Sequence, residues 1–184
     1  LRFLNGNKMS MRLFKGFIIA LTGLFIFVTL LSLFIPSKVI VTKAVTINAT
    51  AEKVFTEMSD LQNWKHWQPV FKNDAAQIKF DTDSSGVSNS CEWQSKGKIN
   101  KLLITGKKDN VVTATLFRDQ ENDILNTIRV SPLQNSNQVQ AEWIVMIKLK
   151  WYPWEKFYGI FIEKISGEGY QEALDSLKEY AENH

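Results

Sequence analysis

The sequence predicts an α+β protein in which an antiparallel sheet packs on a long C-terminal helix, with one apolar helix ahead of them. Three observations support this prediction. Residues 16–35 form an unbroken apolar run, six short stretches of alternating polarity follow between residues 77 and 151, and helical spacing returns after Pro153. A sheet of that size must cover its apolar face, and the last helix is the only predicted element long enough to do so.

The apolar run extends from Gly16 to Ile35 and contains 20 residues without charge or proline. At about 1.5 Å per residue, such a helix is about 30 Å long and matches the hydrocarbon core of a bilayer. We therefore predict a transmembrane helix at residues 16–36, preceded by a basic cytoplasmic segment at residues 1–15. The alternative is a cleavable secretion signal, whose apolar region is usually only about 7–15 residues long and is followed by an A-x-A-like site.

Charge predicts the topology of this helix. The residues before it carry basic side chains and no acidic side chain, namely Arg2, Lys8, Arg12 and Lys15. The positive-inside rule therefore places the N-terminus in the cytoplasm and the remaining chain on the extracytoplasmic side, either in a periplasm or at the cell surface. We therefore expect the chain to be located in a membrane, which it crosses once.

The remaining chain lacks the charge of a nucleic-acid-binding protein. Five of the 22 basic residues but none of the 19 acidic residues lie in residues 1–38, so the rest carries a net charge of −2. We expect no nucleic-acid partner, because such partners require a basic surface. The single Cys91 and the two histidines are too few for a cysteine-rich or histidine-rich metal site. Neither a metal nor a cofactor is expected.

The first part of residues 39–184, the predicted soluble domain, contains one strand and two short helices. Residues 39–47 alternate in a β-branched strand, with Lys43 at an inward position. Apolar residues then recur at helical spacing from Ala51 to Met58. A second short helix is predicted from Leu61 to Trp67, and it must end before Pro69 because the proline ring cannot continue it.

Six alternating runs follow, near residues 77–81, 88–94, 99–107, 111–118, 123–131 and 138–150. The polar clusters between them are short, and short turns join antiparallel neighbours, so the runs predict a meander. After Pro153 the period becomes helical, and the apolar stripe expected to cover the sheet consists of Trp154, Tyr158, Phe161, Ile165, Ala173, Leu174, Leu177 and Tyr180. Gly167 and Gly169 interrupt this pattern as a bend in one helix or a break between two.

Several segments together resemble a known superfamily. They are the stretch VTINATAEKVFTEMSDLQNWKHWQP at 45–69, Ser85-Gly86, Glu92-Trp93 and Gly97 in the middle, and residues 153–159 with Gly167, Leu174 and Leu177-Lys178 at the end. In their order and spacing these residues resemble the START-like or SRPBCC superfamily, specifically the polyketide cyclase/dehydrase and lipid transport branch. The resemblance covers residues 39–184 and implies a helix-grip fold, in which a curved antiparallel sheet wraps around the C-terminal helix. Members with one N-terminal membrane helix are familiar in that family.

The resemblance also implies a cavity between the sheet and the long helix that receives a hydrophobic small molecule or lipid. Independently, Trp93, Trp143 and Trp151 share the inward phase of the sheet with Val145 and Ile147. The predicted ligand-binding residues are Trp64, Trp67, Trp93, Trp143, Val145, Phe157 and Phe161. The alternative for any one tryptophan is ordinary core packing, because large aromatic side chains dominate cores as well.

Three functions remain open from the sequence. The first is a membrane-anchored binding module for a hydrophobic ligand. The second is a cyclase- or dehydratase-like enzyme, which requires an inward polar group such as Asn126, Glu92 or His66. The third is an interaction domain with no ligand cavity. No catalytic residue is assigned, since His66 is expected to face solvent and Cys91 to be a small buried hydrophobe.

Overall fold

The computed structural model describes residues 6–73, 77–95, 97–119, 121–134 and 137–184. In chain order the elements are α1 (Gly6–Ser32), β1 (Lys38–Ile47), α2 (Ala51–Ser59), α3 (Trp64–Trp67), α4 (Pro69–Asn73), β2 (Lys79–Thr82), β3 (Ser88–Ser95), β4 (Lys98–Lys108), β5 (Val111–Arg118), β6 (Ile124–Pro132), β7 (Val139–Lys148) and α5 (Pro153–Asn183). The predicted helix-grip fold is confirmed: an antiparallel sheet packs against one long C-terminal helix.

In the described part of the chain, the sheet has seven strands in the order β1-β7-β6-β5-β4-β3-β2. Strands β2 to β7 form the predicted meander, and β1 joins its far edge by pairing with β7 from Lys38↔Lys148 to Ile47↔Val139. The turn between β4 and β5 is made by Asp109 and Asn110, whose φ angles of 52° and 60° suit a two-residue hairpin turn. Two other predicted turns include residues outside the described ranges, at position 120 and positions 135–136.

Helix α5 is a single helix of 31 residues, so Gly167 and Gly169 do not divide it into two helices. It approaches the sheet closely through glycine. A Cβ at position 159 would overlap Leu149 Cδ1 and lie 3.4 Å from Val39 Cγ2, while a Cβ at position 167 would lie 2.9 Å from Lys43 Cε. The inward-facing lysine of β1 is thus accommodated because its aliphatic stem lies over Gly167.

The predicted packing face of α5 is wrong in its first half. Trp154, Tyr158, Phe161 and Ile165 are 54–63% exposed, and the buried positions are instead Pro153, Lys156, Gly159, Ile162 and Gly167. The apolar pattern misled because small glycines, which give little hydrophobic signal, form the surface that meets β1. From Ala173 onwards the predicted stripe faces the core: Leu174 and Leu177 are fully inaccessible, and Tyr180 is half-buried.

Helix α1 begins ten residues before the predicted start and ends four residues before the predicted end. Within it, Met11–Ser32 is long and apolar enough to cross a membrane, with a mean hydropathy of 2.2, and the rest of the chain does not bury its most apolar part. A signal sequence near an N-terminus has the same character. The helix closes with tighter i→i+3 bonds, in which the amides of Leu33, Phe34 and Ile35 donate to Leu30, Leu31 and Ser32.

Two short helices form one end of the domain. The second predicted helix begins only at Trp64, and Pro69 does not merely end it but starts a further helix, α4. Proline is favoured at a first helical position because its missing N–H has no intrahelical partner there. This extra turn brings Phe71 into the core, where it is 2% exposed.

Candidate ligand-binding cavity

A cavity of about 260 Å³ lies between the sheet, the short helices and α5. Aromatic and aliphatic side chains form most of its wall, and a few neutral polar groups interrupt them. Its lining residues are Trp64, Gln68, Val70, Phe71, Trp93, Leu102, Leu116, Asn126, Trp143, Ser166, Gly169 and Tyr170.

One wall is a cluster of aromatic rings. The ring of Trp64 lies 5.0 Å from Trp67, 5.6 Å from Phe71 and 5.7 Å from Trp143, and Phe71 continues the contact to Trp93 at 5.7 Å. Tilted and edge-to-face pairs at these distances are favourable for aromatic rings. The sheet and the short helices are therefore joined through aromatic contacts around the cavity.

The two indoles of α3 are held by backbone carbonyls of α2. Trp64 Nε1 donates to the carbonyl of Met58 at 2.9 Å, and Trp67 Nε1 donates to the carbonyl of Glu57 at 3.3 Å. Both indoles thereby satisfy their only donor while their rings stay buried. This arrangement fixes the orientation of the Trp64 ring against the cavity.

A buried side-chain amide, that of Asn126, lies in the floor of the cavity. Asn126 on β6 accepts a hydrogen bond of 3.0 Å at Oδ1 from Trp143 Nε1 on β7, and its Nδ2 donates to the carbonyl of Ile124 at 3.2 Å. Asn126 and Trp143 are 6% and 2% exposed. The Asn126 amide is thus a polar group in an otherwise apolar floor, and part of its hydrogen-bonding capacity is already used by Trp143 and Ile124.

The open side lies between α4 and α5. Val70 is 42% exposed, Gly169 is also exposed, and a Cβ at position 169 would meet nothing within 4 Å. In the link between α3 and α4, Gln68 Oε1 accepts a hydrogen bond of 2.6 Å from the backbone amide of Val70. The absence of a side chain at Gly169 therefore leaves the mouth open.

Tyr170 is the only ionisable residue in the described lining. Burial raises its pKa, and the opposing influence of the Arg118 charge is smaller. Its ring lies 5.3 Å from that of Trp143. The other polar side-chain groups of the described lining are the amides of Gln68 and Asn126, the hydroxyl of Ser166 and the indole N–H groups of its tryptophans, so the wall offers hydrogen bonds without a formal charge.

The predicted site residues fall into three groups in the structure. Trp64, Trp93 and Trp143 line the cavity. Trp67 and Val145 are fully buried behind its wall. Phe157 and Phe161 are absent from the described lining, and Phe161 is 57% exposed because α5 presents its glycine face to the sheet.

Sequence reasoning missed Phe71 and Tyr170 as lining residues. The expectation that Pro69 would end the helical segment concealed Phe71, which α4 carries inward. Tyr170 lies on the same side of α5 as Gly159 and Gly167, where the misassigned helix phase removed it from consideration. The signal that identifies Tyr170 is the spacing of small residues along α5 rather than its large apolar residues. The signal that identifies Phe71 is Pro69 as the first residue of a helix, a position that favours proline.

The polar candidates differ in their position. Asn126 lies in the cavity, whereas Glu92 is exposed on β3. His66 faces solvent, with Nδ1 3.5 Å from Glu57 Oε2 and its ring stacked on Tyr180 at 4.9 Å. Cys91 is buried at 1% exposure, and this burial raises the pKa of its thiol to about 12. Among the described residues, no cluster of three histidine, cysteine or carboxylate side chains could hold a metal ion.

Solved structures share this architecture at low sequence identity. A START superfamily protein from Mycobacterium smegmatis is 18% identical with a TM-score of 0.59, covering 78% of this chain and 97% of that chain. An aromatase/cyclase, Zhui, from Streptomyces sp. R1128 is 14% identical with a TM-score of 0.56, covering 79% and 94%. The protein XoxI from Bacillus cereus is 15% identical with a TM-score of 0.55, covering 79% and 96%. At these identities the likeness shows the fold alone.

No curated protein sequence matches the chain. The sequence profile described as polyketide cyclase/dehydrase and lipid transport matches residues 38–182, which include every strand and nearly all of α5. The chain therefore belongs to the polyketide cyclase/dehydrase and lipid transport family.

Proposed function

We propose that this protein is a membrane-anchored binding module that holds a hydrophobic small molecule or a lipid in the cavity between the sheet and α5. The observation that carries the proposal is the wall of that cavity. Aromatic rings surround it on several sides, and its described lining carries no formal charge at neutral pH. Such a wall favours an apolar ligand through the hydrophobic effect, and the few amides and hydroxyls orient it.

The volume limits the size of the ligand. At about 260 Å³ the cavity lies just below the range of roughly 300–1,000 Å³ usual for sites that enclose drug-sized molecules. A compact ring system fits inside, whereas a lipid would insert part of its apolar chain and leave its polar end at the mouth near Gly169. The polar end of such a lipid would lie beside Ser166 and Gln68.

The anchor gives this function its location. The large apolar side chains of α1 from Met11 to Leu31 are mostly exposed, and exposed apolar helices of this size are stable in a bilayer rather than in water. The basic residues before the apolar run favour a cytoplasmic N-terminus, which leaves the cavity on the extracytoplasmic side. A bilayer concentrates hydrophobic ligands, so tethering raises the rate at which the cavity meets them.

The test is native mass spectrometry of the full chain released from detergent micelles, followed by organic extraction. We expect a discrete added mass that extraction removes and that identifies the ligand class. The Gly169→Phe variant, which places a ring in the mouth, is expected to lose this mass, and Gly169→Ala is expected to keep it. A clean unliganded mass that does not shift with a panel of lipids and aromatic compounds would overturn the proposal.

A second candidate function is cyclase-like catalysis, and the presence of Asn126 and Tyr170 inside the cavity favours it. A hydroxyl and an amide could bind the carbonyl oxygens of a polyketide-like substrate. The candidate lacks a group that titrates near neutral pH within the described lining, because burial moves the pKa of Tyr170 upwards. Conversion of an aromatic polyketide analogue, abolished in Tyr170→Phe while binding persists, would favour catalysis over simple binding.

A further inference from the structure

The first half of α5 carries an apolar stripe that nothing in the described structure covers. Trp154, Tyr158, Phe161 and Ile165 are spaced at i, i+4, i+7 and i+11, so they lie on one line along the helix. They are 63%, 54%, 57% and 58% exposed. Single exposed apolar residues are ordinary, but a continuous line of large ones indicates a surface that contacts another apolar phase.

An aromatic group extends this stripe at the start of the helix. Trp151 lies just before α5 and is 68% exposed. Tyr152 joins it to the stripe, since its ring lies 5.0 Å from Trp151 and stacks on Trp154 at 5.0 Å with an interplanar angle of 8°. Tryptophan and tyrosine rings concentrate at the boundary between lipid and water, where an apolar body and a polar tip are both accommodated.

Hydrogen bonds fix this aromatic group beside the end of α1. Lys156 is 6% exposed, and its Nζ donates to the carbonyl of Ile35 at 2.9 Å and to Ser37 Oγ. The amide of Leu149 donates to the carbonyl of Ser37 at 2.8 Å. The start of α5 therefore lies where the apolar helix ends, at the level at which a bilayer surface would meet the domain.

Basic residues lie at the same end of the domain. Lys38 is paired with Lys148 across β1 and β7, and Lys150 follows in the link to α5. All three are exposed. Basic residues beside exposed aromatic residues are typical of surfaces that bind anionic lipid headgroups.

We infer that the stripe from Trp151 to Ile165 lies in the interfacial layer of the same bilayer that α1 spans, with Lys38, Lys148 and Lys150 among anionic headgroups. This inference rests on the proposed anchoring by α1. Interfacial helices insert their apolar face by about 5–10 Å, and from Trp154 to Ile165 the stripe covers about 16 Å of helix. Helix α5 thus begins along the membrane surface.

Docking of this stripe brings the cavity close to lipid. Its last residue, Ile165, is followed directly by Ser166, which lines the cavity, and the open side at Gly169 lies one turn further along the helix. A ligand leaving the interfacial layer therefore reaches the mouth without crossing bulk water. The lipid surface and the binding site become parts of one path.

Spin labelling of the full chain in nanodiscs of phosphatidylcholine and phosphatidylglycerol tests the inference. Because Cys91 is 1% exposed, labels attach selectively to added cysteines, and the wild-type chain measures the background. Phe161→Cys probes the stripe, Asp175→Cys probes the exposed side of the far half of α5, and Phe25→Cys probes the anchor. The readout is relative accessibility to oxygen, which partitions into lipid, and to a water-soluble nickel chelate.

We expect the label at Phe161 to be reached preferentially by oxygen and the label at Asp175 preferentially by the nickel chelate. Preference for the chelate at both positions would overturn the inference while a lipid-exposed label at Phe25 preserved the anchor. An aqueous label at Phe25 would overturn the anchoring and the docking together. Dipolar broadening at Phe161 that disappears on dilution with unlabelled chain would assign the stripe to a second copy and also overturn docking. Ligand mass in the cavity is measured independently of all these outcomes.

Discussion

The indole Nε1 of Trp143 donates a 3.0 Å hydrogen bond to Oδ1 of Asn126 in the floor of the cavity. The two residues lie on neighbouring strands, and both are almost fully buried. A buried indole N–H is costly without a partner, so Asn126 determines whether this ring can form a cavity wall. The amide is therefore a structural part of an apolar site.

Replacing Asn126 with Leu is expected to destabilise the protein. The leucine side chain is similar in size but leaves the indole N–H without an acceptor, at a cost of about 1–3 kcal/mol. The measurement is thermal unfolding of the full chain in detergent micelles, followed by near-ultraviolet circular dichroism.

The double variant Asn126→Leu with Trp143→Phe provides the control for this prediction. It removes donor and acceptor together, so it should lose less stability than the sum of the two single variants. Additive losses would contradict a coupled pair and would indicate that water or a ligand satisfies each group separately.

The substitution Gly169→Phe is expected to close the cavity without unfolding the protein. Position 169 is helical and lines the cavity, and a Cβ there would meet nothing within 4 Å, so we expect a ring at this position to fit without disturbing the core and to occupy the mouth. Binding of cis-parinaric acid, measured by energy transfer from the cavity tryptophans, should weaken by about tenfold or more, a change of about 1.4 kcal/mol or more. Gly169→Ala should bind as the wild type does, and equal weakening in both variants would rule out steric closure.

The two glycines at positions 159 and 169 should respond in opposite directions to alanine. Gly159→Ala forces a methyl group against Leu149 and Val39, and overpacking of this kind costs about 1–3 kcal/mol. Gly169→Ala meets open space, and the gain in helix propensity stabilises by up to about 1 kcal/mol. Thermal unfolding of the two variants under the same conditions compares them directly. Stabilisation by both would show that α5 does not approach the sheet as closely as its glycines permit.

Much of the fold follows from the sequence because alternation and short turns determine an antiparallel meander. The final strand shows this most clearly, since each second residue from Val139 to Ile147 is buried in the structure. Register is well specified where one face is apolar, because a shift by one residue would expose that whole face.

The face of α5 that packs on the sheet is harder to predict from the sequence. Its large residues Trp154 and Phe161 suggested the buried face, while the actual contact uses Gly159 and Gly167. Hydrophobic periodicity records where apolar residues lie, and it cannot distinguish the core from a membrane surface as the apolar environment. Three of the seven predicted site residues line the cavity. Trp67 and Val145 lie on the same elements as two of them and are buried outside the lining, so the phase of an element predicts burial but not contact with the cavity.

Cys91 should resist alkylation in the folded chain. Burial raises the pKa of its thiol from 9.0 to about 12, so the thiolate is about a thousandfold rarer than in the unfolded chain below pH 9. The raised pKa also links the free energy of unfolding to pH. Below pH 9 the thiol is protonated in both states and the protein keeps its full stability; as the pH rises from 9 towards 12, the thiol ionises in the unfolded chain first, and stability is lost. Iodoacetamide at pH 8, with mass spectrometric detection, should modify denatured protein but leave native protein unmodified. Rapid native labelling would show that the β3 region opens readily.

Replacing Lys156 with Met is expected to loosen the junction between α1 and α5. Methionine keeps an apolar stem of similar length but removes the ammonium that donates to Ile35 and Ser37. Charged hydrogen bonds of this kind contribute about 1.5–3 kcal/mol, and the cation also suits the carbonyl-rich end of α1. We therefore expect a lower thermal midpoint and faster proteolytic cleavage within residues 33–38 in detergent micelles. Lys164→Met, at an exposed position of α5, should change neither quantity. Equal behaviour of the two variants would show that Lys156 does not hold the domain to the end of the apolar helix.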